Sequence, residues 1–135
     1  MDRRTARACA MKLIYENEMG GDGGLDTLQG MLEVSPDERE ADYMNMLFEG
    51  VKANKPQLDD AIQKFLEESW KLDRIAKVDY AILLIGAYEM LYTELSDSIA
   101  INEAVELANI YSADKSGAFI NGVLGSMARS KSNAD

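Results

Sequence analysis

The residues near the start of the chain with the most informative chemistry are two arginines and a tyrosine. At about 100° per residue on a helix, Arg4, Arg7, Met11 and Tyr15 fall within about 80° of one another. Guanidinium groups contact phosphates, and an aromatic ring can stack on an unpaired base. The spacing therefore predicts an outward-facing stripe that contacts single-stranded RNA.

The distribution of charge agrees with this prediction. The chain has a net charge of −10, yet residues 1–15 hold four bases, including Arg3 and Lys12, against one acid. Residues 16–114 hold 22 acids and 7 bases, and residues 115–135 again favour bases, three to one. Only the two ends of the chain carry the positive charge that binding a polyanion needs. The alternative interpretation is that the acidic residues form an ordinary solvated surface and that the basic ends arise by chance.

The opposite side of the first helix is apolar and predicts a packing face. Its members include Ala6, Leu13, Ile14 and the one cysteine of the chain, Cys9. A single cysteine on an apolar face indicates a packing role and a reducing compartment. The start of the chain does not resemble a secretory signal, and its longest apolar stretch is far shorter than the roughly 20 residues of a membrane span. We therefore expect a cytoplasmic protein without a membrane segment.

Enzymatic chemistry finds little support in the composition. The chain has no histidine, which removes the commonest general base and metal ligand, and we expect neither a metal nor another cofactor. The neighbouring carboxylates Asp59 and Asp60 would point about 100° apart on a helix and could not act on one bond. Glu89, among apolar neighbours, is interpreted as a partly exposed acid paired with a base; a perturbed, functional acid is the alternative. The sequence predicts a protein that is not an enzyme.

Apolar residues recur at intervals of three and four almost throughout, which predicts an all-α fold. We expect a single bundle of about seven helices over residues 1–130, with a frayed polar tail at 131–135. A fifth helix, capped by Asp73, is apolar nearly all round and should lie at the centre. The predicted helices are 3–19, a short one near 25–32, one capped by Ser35, one around 58–66, the fifth, 98–111 and 115–129.

A second group of RNA-contact candidates lies near the end of the chain. Phe119 points away from the apolar face of the last helix, close to Lys115 and Asn121. An exposed aromatic beside a base is suited to stacking and phosphate contact, while a ring wedged between helices is the alternative. Tyr15 is interpreted as a surface residue because it lies opposite Leu13.

Several motifs, in order, resemble the NusB family of bacterial transcription antitermination factors. The opening Arg3-Arg4-Thr5-Ala6-Arg7 with Leu13-Ile14-Tyr15 is similar to the start of that family. The central and final matches are Val78-Asp79-Tyr80-Ala81-Ile82-Leu83, Ala87-Tyr88-Glu89, Ile101-Asn102-Glu103-Ala104-Val105-Glu106-Leu107-Ala108 and Phe119-Ile120-Asn121-Gly122-Val123-Leu124. The resemblance covers nearly the whole chain. It departs at Leu84, where the family often has arginine, and at Ser96, where it often has proline.

The resemblance implies a helical adaptor without enzymatic activity. Such proteins pair with NusE, a ribosomal protein of the small subunit, and the pair binds the boxA element of nascent ribosomal RNA within the RNA polymerase antitermination complex. The predicted RNA contacts are then Arg3, Arg4, Arg7, Lys12, Tyr15, Lys115, Phe119 and Asn121. The predicted partner contacts are Tyr15, Glu18, Asp79 and Tyr80.

Two alternatives remain open. NusB-like domains also precede RNA methyltransferase domains, so the chain could support ribosomal RNA modification. It could also form a helical homodimer that buries Met11, Tyr15 and Phe119.

Overall fold

The computed structural model describes residues 3–20, 38–66 and 71–133, and these ranges contain helices and connecting turns without a strand. The predicted all-α class is confirmed, with six α-helices in the described ranges where about seven were expected in the whole chain. The predicted short helix near 25–32 and the capping box at Ser35 lie outside the described residues. The helices are α1 (Arg3–Glu18), α2 (Glu38–Ala53), α3 (Lys55–Gln63), α4 (Lys77–Tyr92), α5 (Asp97–Tyr111) and α6 (Ser116–Asn133), with a 3₁₀ turn at Leu72–Arg74 before α4.

Local chemistry accounts for two of the helix boundaries. The turn after α1 contains Gly20 at φ 97°, a left-handed conformation that favours glycine. Ser96 caps α5, because its side chain accepts a hydrogen bond from the backbone N–H of Ile99 at 3.4 Å. This serine, at a position where the resemblance led us to expect proline, therefore has a local role of its own.

Two predicted boundaries were wrong. Asp73 does not cap the central helix: it lies in the 3₁₀ turn, and extended backbone at Ile75 separates that turn from α4, whose N-cap is Ala76. The last helix does not end at Arg129 but continues to Asn133. Lys131 stabilises this extension, since its Nζ lies 2.7 Å from the carbonyl oxygen of Met90 and 2.9 Å from Asp97 Oδ1.

The central position predicted for the fifth helix is confirmed by α4, which packs against each of the other five described α-helices. Its side chains are buried on every side from Asp79 to Ala87. Leu84, at the position where the family often has arginine, is fully buried and belongs to this core. None of the described helices combines the length and the apolar character needed to cross a membrane.

The packing of α2 against α4 depends on a glycine. A Cβ added at Gly50 would lie 2.2 Å from Cζ and 2.3 Å from the hydroxyl oxygen of Tyr88, far inside van der Waals contact. The Tyr88 ring in turn stacks on Tyr92, with 5.4 Å between the ring centroids. By contrast, a Cβ added at Gly122 on α6 meets nothing within 4 Å.

We expect Gly50→Ala to lower the free energy of unfolding by about 1 to 2 kcal/mol, because the clash with the ring outweighs the better helix propensity of alanine. Gly122→Ala is the matched control and should instead raise it, by up to about 1 kcal/mol. Urea unfolding followed by circular dichroism measures both. In a Tyr88→Ala background the Gly50 substitution should become stabilising, and an unchanged penalty there would contradict the assignment of the clash.

Candidate nucleic-acid interface

The second arginine of the predicted stripe is internal. Arg7 is 4% exposed, and its Nε lies 3.0 and 2.9 Å from the two carboxylate oxygens of Glu89, which is 1% exposed. Met11, from the same stripe, is also buried. The prediction that these two side chains face outward was wrong, because α1 packs against α2 and α4 while Glu103 of α5 closes over its other side.

Arg7 is the centre of a cluster that joins four helices. Beside the pair with Glu89 on α4, its Nη1 lies 3.3 Å from Glu103 on α5. Tyr43 on α2 donates its hydroxyl proton to Glu89, and the Arg7 guanidinium lies 5.5 Å from the centroid of the Tyr43 ring. Burial acts to lower the pKa of Arg7, but hydrogen bonding and the charge of Glu89 outweigh burial and raise it. Arg7 therefore stays charged inside the protein.

Glu89 corrects a second expectation. The sequence interpretation of a carboxylate paired with a base holds, but the acid is buried and not partly exposed. An acid on a helix that is otherwise apolar all round needs a buried base as partner, and Arg7 supplies it. That requirement is the signal in the sequence that some base of the chain is buried, but it does not identify which one.

The remaining cations of α1 reach the surface. Arg3 is exposed, and its guanidinium lies 4.4 Å from the centroid of Tyr43. The side chain of Arg4 is 66% exposed and pairs with Glu103, with 3.0 Å between Nε and Oε1. Hydrogen bonding to Glu103, followed by its charge, raises the pKa of Arg4. The half-buried Lys12 places its ammonium 4.8 Å from the ring centroid of Tyr111.

Two of these surface cations, Arg4 and Lys12, border a groove between α1 and α5 with a volume of about 210 Å³. Ala8 and Leu107 give it an apolar floor, and Ile110 and Tyr111 line one end. Tyr111 was not singled out in the sequence, because an aromatic at the end of an amphipathic helix does not by itself indicate a binding surface. The groove offers positive charge beside an exposed aromatic ring.

The candidates near the end of the chain meet at a second cavity, of about 290 Å³, which is lined by Asp79, Lys115, Ser116 and Phe119 among others. Asp79 is buried and accepts hydrogen bonds from the hydroxyls of Ser112 at 2.5 Å and Ser116 at 2.9 Å. Phe119 is half-buried and packs against the core on one side, so that it combines features of both interpretations.

Lys115 and Asn121, which precede and follow Phe119 in the sequence, are both exposed. Asn121 does not line the second cavity. The structure therefore brings Lys115, Phe119 and Asp79 together and leaves Asn121 outside that group.

The predicted partner contacts differ in their accessibility. Glu18 is paired with Lys55, with 3.0 Å between Oε1 and Nζ, and Tyr15 is half-buried against the core. Tyr80 is 5% exposed and donates its hydroxyl proton to Asp59 at 2.5 Å. The burial of Tyr80 and Asp79 gives both side chains an internal role, and a direct contact with a partner stays a prediction for them.

Two features from the sequence analysis concern chemistry other than RNA binding. Cys9 is buried as expected, and burial raises the pKa of its thiol. Among the described residues no group of three cysteine, aspartate or glutamate side chains is arranged to hold a metal ion. The candidates for a nucleic-acid interface are the groove between α1 and α5 and the cavity beside Phe119.

Comparisons with known proteins identify a single family. A family model for the NusB family matches residues 4–129. A transcription antitermination protein NusB from Acetivibrio thermocellus is 43% identical over 133 residues, which cover 97% of this chain and 91% of that protein. One from Clostridium novyi is 40% identical over 131 residues, covering 94% of this chain and 98% of that protein.

Solved structures agree with the sequence comparisons. The chain superposes on Thermotoga maritima NusB with a TM-score of 0.83 and 30% identity, covering 96% of this chain and 92% of that one. A NusB structure solved with NusE and double-stranded RNA has a TM-score of 0.78 at 22% identity, with coverage of 95% and 96%.

Breaking the buried pair should destabilise the fold strongly. We expect Arg7→Met to lower the free energy of unfolding by about 3 to 5 kcal/mol, because it leaves Glu89 buried without its counter-ion. Lys55→Met removes the cation of the more exposed pair with Glu18 and should cost about 1 kcal/mol or less. Urea unfolding of both variants measures the difference, and equal losses would contradict the internal role of Arg7.

The alkaline limit of stability should depend on Tyr43. Burial, followed by the hydrogen bond to Glu89, raises the pKa of Tyr43 to about 12 from the ordinary value of 10.0. The folded state keeps this phenol neutral, so its contribution is complete below pH 10.0 and is lost as the pH rises to about 12. The free energy of unfolding should fall in this window, and less steeply in Tyr43→Phe. Tyr80 gives the variant a residual slope, since burial raises its pKa as well. Equal slopes in the two proteins would contradict the assignment.

Proposed function

Because the chain belongs to the NusB family of transcription antitermination proteins, we propose that it pairs with a NusE-type ribosomal protein and binds boxA-type single-stranded RNA of nascent ribosomal transcripts. The pair then joins the antitermination complex on RNA polymerase. In this proposal the chain is an adaptor without enzymatic activity. The observation that carries it is the presentation of Arg3 and Arg4 at the surface of an acidic protein, with Arg4 lining a groove that contains an aromatic ring.

The two candidate surfaces are linked through a short series of contacts. Lys12 of α1 lies over Tyr111, the last residue of α5, and the next residue, Ser112, donates a hydrogen bond to Asp79. Asp79 also accepts from Ser116, which follows Lys115. This sequence of contacts supports a single RNA path from the groove between α1 and α5 to the cavity beside Phe119.

The charge of the molecule supports a basic partner. The middle of the chain, residues 16–114, has 22 acids against 7 bases and suits a positively charged ribosomal protein. A structural neighbour that holds NusB, NusE and double-stranded RNA supports both kinds of partner. RNA binding by the chain alone should be modest, because the net charge of the chain is −10 and repels a polyanion.

The homodimer alternative loses one of its three proposed interface residues. Met11 is 2% exposed within the single chain, so it is already covered by the core. Tyr15 and Phe119 keep part of their surface exposed. The role as an accessory domain for RNA modification predicts the same RNA surface and differs only in the partner.

Arg4→Gln should weaken RNA binding while leaving the free energy of unfolding nearly unchanged, because this side chain is largely exposed. Arg129→Gln, which removes another exposed positive charge, in the C-terminal part of α6, is the matched control and should have little effect. If the chain contacts three phosphates, affinity should fall roughly twentyfold between 50 and 200 mM salt. Fluorescence anisotropy with a labelled boxA-type RNA measures affinity.

The partner requirement is tested by repeating the titration with a NusE-type protein present. We expect tighter binding of the RNA to the pair than to either protein alone, because each contributes cations to one surface. A pair that binds no more tightly than its members, or an Arg4 variant with unchanged affinity, would refute this function for the α1 surface.

A further inference from the structure

One carboxylate of the groove lies between two arginines that differ in exposure. Glu103 accepts hydrogen bonds from Arg4 Nε, at 3.0 and 3.3 Å to its two oxygens, and from Arg4 Nη2 at 3.1 Å. It accepts another from Arg7 at 3.3 Å. The Arg4 side chain is 66% exposed, while those of Glu103 and Arg7 are 14% and 5% exposed. Guanidinium forks bind carboxylate and phosphate with the same bidentate geometry. Glu103 therefore occupies the position on Arg4 that a phosphate would take.

The far end of the same groove holds an aromatic ring. Tyr111 is 40% exposed and has the Lys12 ammonium 4.8 Å from its ring centroid. Arg4 and Lys12 are separated by eight residues of α1, or about 12 Å along its axis, which is enough for a short run of nucleotides. The groove thus combines a stacking surface with a cation at each end.

We propose that the groove between α1 and α5 holds a short run of nucleotides of the bound RNA, in which one base stacks on Tyr111 and a phosphate replaces the Glu103 carboxylate on Arg4. This inference rests on the proposed function, and it assigns two residues, Tyr111 and Glu103, that the sequence patterns did not identify as RNA-binding residues. Glu103 acts as an internal competitor of the RNA, because the guanidinium of Arg4 cannot bind both anions in the same way.

The move of Arg4 from Glu103 to a phosphate changes the ion pairs of both carboxylates near Arg7. When Arg4 turns to a phosphate, Glu103 keeps its contact with Arg7, so its charge remains paired. Arg7 is then shared by two carboxylates, Glu89 and Glu103, without the second cation nearby. The free protein therefore holds Arg4 in place, and only an anion that reaches it in bidentate geometry releases it. This arrangement disfavours loose, nonspecific attachment of polyanions to α1.

The first test removes the competing charge. Glu103→Gln should raise the affinity for RNA, because Arg4 no longer has to leave a carboxylate to bind the phosphate. The slope of log K against log salt should stay nearly the same, because the number of phosphates contacted does not change. Glu106→Gln is the matched control, because Glu106 is an exposed acid of the same groove that influences Arg4 only through its charge. It should change affinity less and leave the slope unaltered.

The second test addresses the stacked base and does not touch the ion pairs. Tyr111→Leu should weaken RNA binding at least about fivefold, since stacking contributes roughly 1 to 3 kcal/mol per base. Tyr111→Phe keeps the ring and should bind nearly as well as the unaltered protein. In a series of RNAs that each carry one abasic nucleotide at a different position, we expect one RNA for which Tyr111→Leu causes no further loss of affinity.

The outcomes separate this inference from the proposed function. If the unaltered protein binds boxA-type RNA but neither Glu103→Gln nor Tyr111→Leu changes affinity, the nucleotide site is wrong while the function stands. If no RNA binds with or without a NusE-type protein, both fail. Circular dichroism of each variant reports folding, and an unfolded Glu103→Gln leaves the Tyr111 series to decide alone.

Discussion

The ion pair of Arg7 with Glu89 is the interaction on which the arrangement of this molecule depends. A charged guanidinium and a carboxylate are both removed from water at the centre of the bundle, and each is tolerated only because the other is there. Tyr43 donates a further hydrogen bond to Glu89, and Glu103 accepts one from Arg7. Since such a pair has strict geometry and a desolvation cost, its effect is to fix an arrangement more than to add net stability. The pair is compatible with the one rotation of α1 that also buries its apolar face, and in that rotation Arg3 and Arg4 face solvent.

The features of the fold that depend on the sequence of one helix alone were predictable. The apolar character of the central helix on every side placed it at the core, and glycine after α1 marked its end. Errors arose where the outcome depends on two helices at once. A hydrophobic periodicity gives the faces of α1 but not the number of its neighbours, so Arg7 was indistinguishable from Arg4 in the stripe. Asp73 resembled a cap, but three residues of turn and extended backbone separate it from the first residue of α4.

The sequence predicted several residues of the candidate site from their types, but it did not predict how these residues are arranged in space. Lys115 and Phe119 were identified from their proximity in the last helix, whereas the contacts of Asp79 with Ser112 and Ser116 join residues more than 30 positions apart. Tyr111 and Glu103 carry no local signal, because each has the pattern of an ordinary helix residue. Their importance depends on the approach of α5 to α1, which the sequence of either helix alone does not specify.

An acidic protein that binds a polyanion must prevent its own carboxylates from neutralising its binding surface. In this chain the positive charges of α1 are divided between two tasks that require opposite environments. Arg7 is buried, and its charge is paired with that of Glu89. Arg4 is exposed, and water weakens its attraction to Glu103. Glu103 touches both, so the surface contact and the internal cluster share one counter-ion. Because Arg4 and Arg7 lie three positions apart on one helix, the same segment contributes both to the stability of the core and to the charge presented to a ligand. The position of α1 in the bundle, more than the number of its arginines, therefore sets how much positive charge the protein presents.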